Sequence, residues 1–201
     1  MMQYSEACER NKYPILNILE DAFANSSVVL EIGGGTGQHA VFLAERLSHL
    51  RWHPTDRAEA LDALSERVRR EGPENCEAPV ALDADDRPWP ATVVERRFDA
   101  VFTANTLHIM SWDSVENLFD GIGPVLAGGG KLCVYGAFRY AGRFTSPSNE
   151  RFDAALRARD PLSGIRDFEA MNELATRQGL QLTSDHAMPA NNQLIVWSRA
   201  R

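Results

Sequence analysis

Residues 28–37, VVLEIGGGTG, constrain this chain more than any other stretch. Val28 to Ile32 is a short apolar run rich in β-branched residues, the pattern of a strand buried within a parallel sheet. Gly33, Gly35 and Gly37 follow at alternate positions. Residues 38–47 then place Ala40, Val41, Ala44 and Leu47 at helical spacing. Strand, glycine turn and helix make the opening unit of a doubly wound nucleotide-binding fold. Glycine suits such a turn because it accepts positive φ and lets a ligand come close to the backbone.

The dinucleotide pattern G-x-G-x-x-G does not fit. With Gly33 and Gly35 as its first two glycines, the third position is Gln38. The observed order, Glu31-Ile-Gly-x-Gly-x-Gly, resembles motif I of the class I S-adenosylmethionine (SAM)-dependent methyltransferases. That resemblance implies that Glu31, Gly33, Gly35 and Gly37 hold the amino-acid part of the cofactor. A second carboxylate, Asp56, closes RWHPTD 19 residues after Gly37, where the next strand ends. A carboxylate there accepts hydrogen bonds from ribose hydroxyls and repels the extra phosphate of NADP.

At 201 residues the chain is expected to form one domain over 1–201, long enough for a sizeable core. Its net charge of −7 favours a small-molecule substrate over nucleic acid. No apolar run approaches the roughly 18 residues of a membrane span, and the first residues lack a signal-peptide core. Cys8, Cys76 and Cys133 lie far apart without a C-x-x-C, so no disulfide framework or structural zinc site is expected and a reducing cytoplasm is the default. His39, His49, His53, His108 and His186 do not fall at a ligand spacing, so no metal is expected. Oligomeric state is open.

Along the chain, residues 1–13 read as polar, and Pro14 opens a helix through Ile15, Leu16, Leu19, Ala22 and Phe23. Strands are expected at 50–55, 79–82 and Phe98–Ala104, with a helix over 58–70. Residues 85–97, around Pro88-Trp89-Pro90, read as loop and irregular helix. Ser111 caps a helix that Gly128–Gly130 stop, and 131–138 is the fifth strand. Residues 139–166 form an unusually long connection with one helix near 149–159, the mark of a substrate-side insertion. Asp167 caps the next helix, Gly179 ends it, and strands at 180–184 and 193–198 finish the chain. This alternation suits a seven-stranded, mostly parallel, Rossmann-like class I sheet with an antiparallel C-terminal strand and helices on both faces. It brings the loops after residues 32, 55, 82, 104 and 138 around one crevice.

Several residues at that crevice carry candidate chemistry. Asp83 stands where such enzymes bind the adenine amino group, or is a turn cap. Asn105 ends the fourth strand, beneath the reactive sulfonium, or is an ordinary strand terminator. His108 is the candidate general base, since an unperturbed histidine titrates near pH ~6.5; it could equally pack without touching substrate. Trp112 and Tyr135 are candidate pocket walls, Tyr135 beside the reaction, or core. Ser148, Asn149, Arg166, Asn191 and Asn192 supply polar groups for a substrate. A guanidinium at Arg166 could grip a carboxylate with two hydrogen bonds. Helix capping, a turn and a solvated arginine are the plainer accounts of Ser148, of Asn191-Asn192 and of Arg166.

ACERNKYPIL (7–16), LEIGGGTGQHAVFLA (30–44), WHPTD (52–56), NTLHIMSW (105–112), YGAF (135–138), SPSNERFD (146–153), GIRD (164–167) and MPANN (188–192) together resemble one family nearly end to end. It is the family labelled domain of unknown function 938, also called methyltransferase-like 26. Gly34 and Ala137 depart from its usual small residue and proline. The resemblance implies a class I fold, SAM as cofactor with S-adenosyl-L-homocysteine as product, and a lid over the cofactor from residues 1–13, with Arg10 and Asn11 touching it. The expected activity is methyl transfer to a small polar metabolite, one carrying a carboxylate if Arg166 faces the crevice. A non-catalytic SAM-binding partner protein and, more remotely, an NAD-dependent oxidoreductase are the competing readings.

Overall fold

The computed structural model describes residues 4–201. Its first helix, α1 (Glu6–Ala22), is followed by β1 (Val28–Ile32), α2 (Gln38–Arg46), β2 (Arg51–Asp56), α3 (Leu61–Glu71), β3 (Val80–Ala81) and a single turn α4 (Ala91–Val94). Then come β4 (Phe98–Ala104), α5 (Trp112–Val125), β5 (Leu126–Gly136), β6 (Phe138–Tyr140), β7 (Arg143–Phe144), α6 (Pro147–Arg159), β8 (Arg166–Asp167), α7 (Phe168–Arg177), β9 (Leu180–Met188) and β10 (Asn192–Arg199). Seven strands form one sheet in the order β3-β2-β1-β4-β5-β10-β9. β1, β2, β3, β4 and β5 pair in parallel, while β10 runs antiparallel to both β5 and β9.

Strand alternation sends side chains to two separate cores. On one face Leu30, Ile32, Val101, Val134, Ile195 and Trp197 pack against Val115 and Phe119 of α5 and Met171 of α7. On the other, Val29, Phe102, Cys133 and Leu194 pack against Ile15 of α1, Leu43 of α2 and Leu64 of α3. β1 pairs with β2 on one side and β4 on the other. The chain direction across the sheet therefore reverses at β1/β4, and a crevice opens beyond their carboxyl ends.

Five local expectations are corrected. The first helix starts at Glu6, not Pro14: Ser5 caps it by accepting from the Cys8 N–H, Glu6 and Glu9 favour its first turn, and Pro14 lies inside it. Residues 1–3 of the expected lid lie outside the described residues. Helix α5 ends at Val125, and the glycines that were expected to stop it lie within β5, where the register with β4 shifts. The 139–166 connection builds its own three-stranded sheet, β7-β6-β8, around α6. The cap of α6 is Ser146, not Ser148. Asp167 occupies the cap position of α7, but its carboxylate binds Arg139 at 2.5 Å and the Gly142 N–H instead.

Candidate active site

The glycine turn is held by backbone bonds on both sides. The Gly34 N–H donates to Thr55 O at 2.9 Å, and the Gly37 N–H to Gly34 O at 2.9 Å. Gly33 (φ +74°) packs so close to Thr106 that a Cβ would stand 2.5 Å from its hydroxyl oxygen. Arg67 donates from Nε to Thr36 O at 2.6 Å, pinning the far limb of the turn. Gly35 (φ +56°) differs: a Cβ there meets nothing within 4 Å. Its N–H donates to the Asp56 carboxylate at 2.6 Å, joining the tips of β1 and β2. The other Asp56 oxygen accepts from the Arg57 N–H at 2.7 Å. A carboxylate offers about four acceptor positions, so Asp56 keeps capacity for hydroxyl donors.

Beneath the turn, Glu31 is buried and accepts a hydrogen bond from Trp52 Nε1 at 2.7 Å. Burial pushes its carboxyl up to about 7, against the stabilising effect of the indole N–H. The Cys8 thiol of α1 lies in this neighbourhood, near Ser5, Thr36 and Glu31, and burial raises it too.

The helix α1 closes over this region through two residues that the sequence reading did not single out. Gln38, the first residue of α2, accepts from the Ser5 N–H at 2.6 Å and donates to Ser5 O and to Glu9 at 2.9 Å. His39 meets Asn11 Oδ1 at 2.7 Å, and burial pushes its imidazole down to about 4, so it is neutral and donates from Nε2. The position at which the chain departs from the dinucleotide pattern, Gln38, was the available signal. Asn11 is buried, but Arg10 is exposed and paired with Glu6 at 3.3 Å.

The other candidates fall into separate groups. The Tyr135 hydroxyl is bonded by Asn192 Nδ2 at 3.0 Å and by Asn11, on the α1 side of the sheet. Asn149 donates to Asn191 O at 2.8 Å, and Asn191 donates to Ser148 Oγ at 3.1 Å, so these three knit α6 to the turn before β10. Asn105 adopts φ +58° at the end of β4, its N–H bonded to Tyr135 O at 2.9 Å. Asp83 accepts from the Asp85 N–H at 3.0 Å, which is the turn-cap arrangement. Trp112 packs half-buried at the edge of the α5 core.

His108 lies on the opposite face from Tyr135. Its Nδ1 approaches the space over Gly136, and its ring packs edge-on against Phe152 with centroids 5.1 Å apart. Burial, helped by the Arg166 charge, lowers it to about 4. The sheet separates these two, so they do not converge on one reacting atom. Arg166 is drawn partly into the fold. Its Nε donates to Leu107 O at 3.0 Å, and its Nη2 donates to Leu162 O at 3.0 Å and to Met110 O. One edge of its guanidinium is thus committed to backbone carbonyls, while Nη1 takes no part in these bonds.

A surface depression of about 450 Å³ lies at the opposite ends of the strands, among Val28, Ser48, His49, Arg51 and Asn75, and takes no part in this site. Among the described residues no cluster of three metal-ligating side chains occurs. Nor is any of their helices long and apolar enough to cross a membrane.

The family model described as "Protein of unknown function (DUF938)" matches residues 2–199. Among solved structures, the chain is similar to an O-methyltransferase family protein from Burkholderia thailandensis, with 16% identity, TM-score 0.81, and coverage of 97% of this chain and 58% of that one. It is similar to human N-acetylserotonin methyltransferase in complex with SAM, with 16% identity, TM-score 0.78, and 98% and 53% coverage. An O-methyltransferase family 2 protein from Planctomyces limnophilus in complex with apigenin gives 17% identity, TM-score 0.77, and 96% and 60% coverage. The chain thus spans little more than half the length of these proteins. The likeness establishes the Rossmann-like methyltransferase fold.

Proposed function

Starting from a chain that belongs to the DUF938 family, we propose that it is a SAM-dependent methyltransferase acting on a small molecule, with S-adenosyl-L-homocysteine as product. The observation that carries this reading is the open face of Gly35 beside its hydrogen bond to Asp56. An acyclic backbone cradle, a carboxylate with spare acceptor capacity and a buried acid beneath the turn suit an adenosyl amino acid. Asp56 would take the ribose hydroxyls, and Glu31 would sit under the cationic amino group. Residues 4–13, leading into and opening α1, would cover the site as a lid, hinged on the contacts of Gln38 and His39.

When bound, SAM supplies a methyl group already activated by its sulfonium: the acceptor's lone pair forms the new bond to carbon, and the pair of the broken C–S bond stays on sulfur as a neutral thioether. The protein's share is orientation, exclusion of water and reception of a proton. His108 is neutral at physiological pH and receives the acceptor's proton on a ring nitrogen before passing it to water. Arg166 Nε and Nη2 are taken up by carbonyls, which leaves Nη1 as the nitrogen of this residue for a substrate carboxylate. Calorimetric titration with S-adenosyl-L-homocysteine, and with NAD as the contrast, tests the reading. Binding of the first and not the second supports it; no affinity for S-adenosyl-L-homocysteine overturns it.

A further inference from the structure

A polar side chain at the start of β10 has an atom that the fold leaves unpartnered. Gln193, at the start of β10, pairs directly with Gly136 of β5, so its side chain stands on the same face as the space over that glycine. Its Oε1 is enclosed and has no hydrogen-bond partner. A Cβ on Gly136 would meet one atom within 4 Å, His108 Nδ1 at 3.7 Å. One row deeper on the same face, Thr103 pairs with Val134, and its hydroxyl also lacks a partner. Three neighbouring strands thus carry two enclosed polar atoms that the protein itself does not satisfy, on the same face as a notch over Gly136 that His108 overlooks.

The notch leads to exposed apolar surface. Phe152 packs against the His108 ring and is 39% exposed, while Ile109 and Leu162 are 57% and 65% exposed. The backbone that carries Ile109 and Leu162 is held in place. The Gly164 N–H donates to His108 O at 2.8 Å, Ser163 Oγ donates to Ile109 O at 3.3 Å, and Arg166 ties Leu162 O to Met110 O. The nearby charges are already engaged: Arg166 on carbonyls, and Asp153 on Arg157 at 2.8 Å and on the Ile165 N–H at 2.7 Å. A charged acceptor would meet groups already drawn on by carbonyls and by each other, whereas an apolar one would cover surface that water now wets.

We propose that this notch is the acceptor site and that it takes a ring-bearing hydroxyl compound, its hydroxyl over Gly136 between His108 and Gln193 and its apolar body against Ile109, Phe152 and Leu162. The hydroxyl donates to His108 Nδ1, and its oxygen accepts from the Gln193 NH₂. One lone pair remains to attack the methyl carbon. The C–S electron pair goes to sulfur, and the hydroxyl proton to Nδ1. This assignment rests on the methyltransferase reading.

The test is a binding titration of 2-naphthol into protein saturated with S-adenosyl-L-homocysteine, with lactate as the small polar contrast. 2-Naphthol binds at least about tenfold more tightly than lactate. Gly136→Ala, whose added methyl has room in the fold, and the surface pair Ile109→Asp with Leu162→Asp each weaken 2-naphthol by about tenfold. Both leave S-adenosyl-L-homocysteine affinity within about twofold. Equal binding of the two probes, or 2-naphthol binding indifferent to both sets of substitutions, overturns the acceptor assignment alone. A wild-type protein that binds no S-adenosyl-L-homocysteine overturns the methyltransferase reading on which it rests.

Discussion

The Trp52 indole N–H donates to the Glu31 carboxylate at 2.7 Å, with both side chains buried beneath the glycine turn. A single neutral donor does not replace the water that an ionised carboxylate loses, so the acid is raised from 4.5 to about 7. Between those values the folded chain keeps a proton that the unfolded chain has lost. Stability therefore falls as pH rises through that window and levels off above it, by about 3 kcal/mol in all. Buried His39, His53 and His108, lowered to about 4, give the opposite slope between pH 6.5 and 4. The comparison of wild type with Glu31→Gln isolates the acid: thermal unfolding from pH 4.5 to 8 should show the variant gaining on wild type as pH rises. A constant difference across that range would refute the raised acid.

The same acid makes ligand binding proton-linked. A cationic amino group beside Glu31 favours the carboxylate, so S-adenosyl-L-homocysteine binding near pH 6.5 should release a proton. Calorimetry in buffers of differing ionisation enthalpy reads that release directly. In Glu31→Gln the release disappears; if it persists, the proton comes from elsewhere.

Asp56 joins the tips of two strands as well as offering acceptors. Asp56→Ala should weaken S-adenosyl-L-homocysteine by at least about tenfold. Asp56→Asn retains an oxygen for the Gly35 N–H and separates loop geometry from charge. Wild-type affinity in Asp56→Ala would remove this residue from the site.

Arg166 is expected to act on stability rather than on substrate affinity. Truncation to alanine leaves Leu107, Met110 and Leu162 carbonyls without their donor, on the order of 3 kcal/mol in total. Thermal unfolding should register the loss, and far-UV spectra should show the fold retained at low temperature. An unchanged midpoint with a raised KM would restore the carboxylate grip.

His108, lowered to about 4, is more than 99% neutral at pH 7 by its titration. Methyl transfer should therefore rise from pH 4 to about 6 and show no further step assignable to this residue. His108→Ala should lower kcat by roughly 10²-fold with S-adenosyl-L-homocysteine affinity preserved. Full activity in that variant would leave the transfer without a proton acceptor in this loop.

Much of the framework was legible because it is local. β4 begins and ends where the apolar run does, and Ser111 caps α5 by accepting from the Ser114 N–H. The misreadings have local causes as well. Pro14 is compatible with a helix start, so it masked the weaker signal of Ser5 with Glu6 and Glu9. The β-structure of the 139–166 segment comes from strands of two or three residues that lack any period of their own and exist because they pair with one another.

The chain's own order of residues determined the strand–turn–helix unit, its acid at Glu31, the positive-φ glycines and the alternation that builds a doubly wound sheet. These follow from backbone sterics and from side-chain periodicity over a few residues. Tertiary structure decided which partner each polar group found. It placed Arg166 on carbonyls 56 and 59 residues away in sequence, Gln38 on the start of α1, Tyr135 and His108 on opposite faces, and Gln193 opposite Gly136 with its Oε1 unpartnered. A hydrogen bond depends on the distance and direction between two groups, and for residues this far apart in the chain only the packed sheet sets either one.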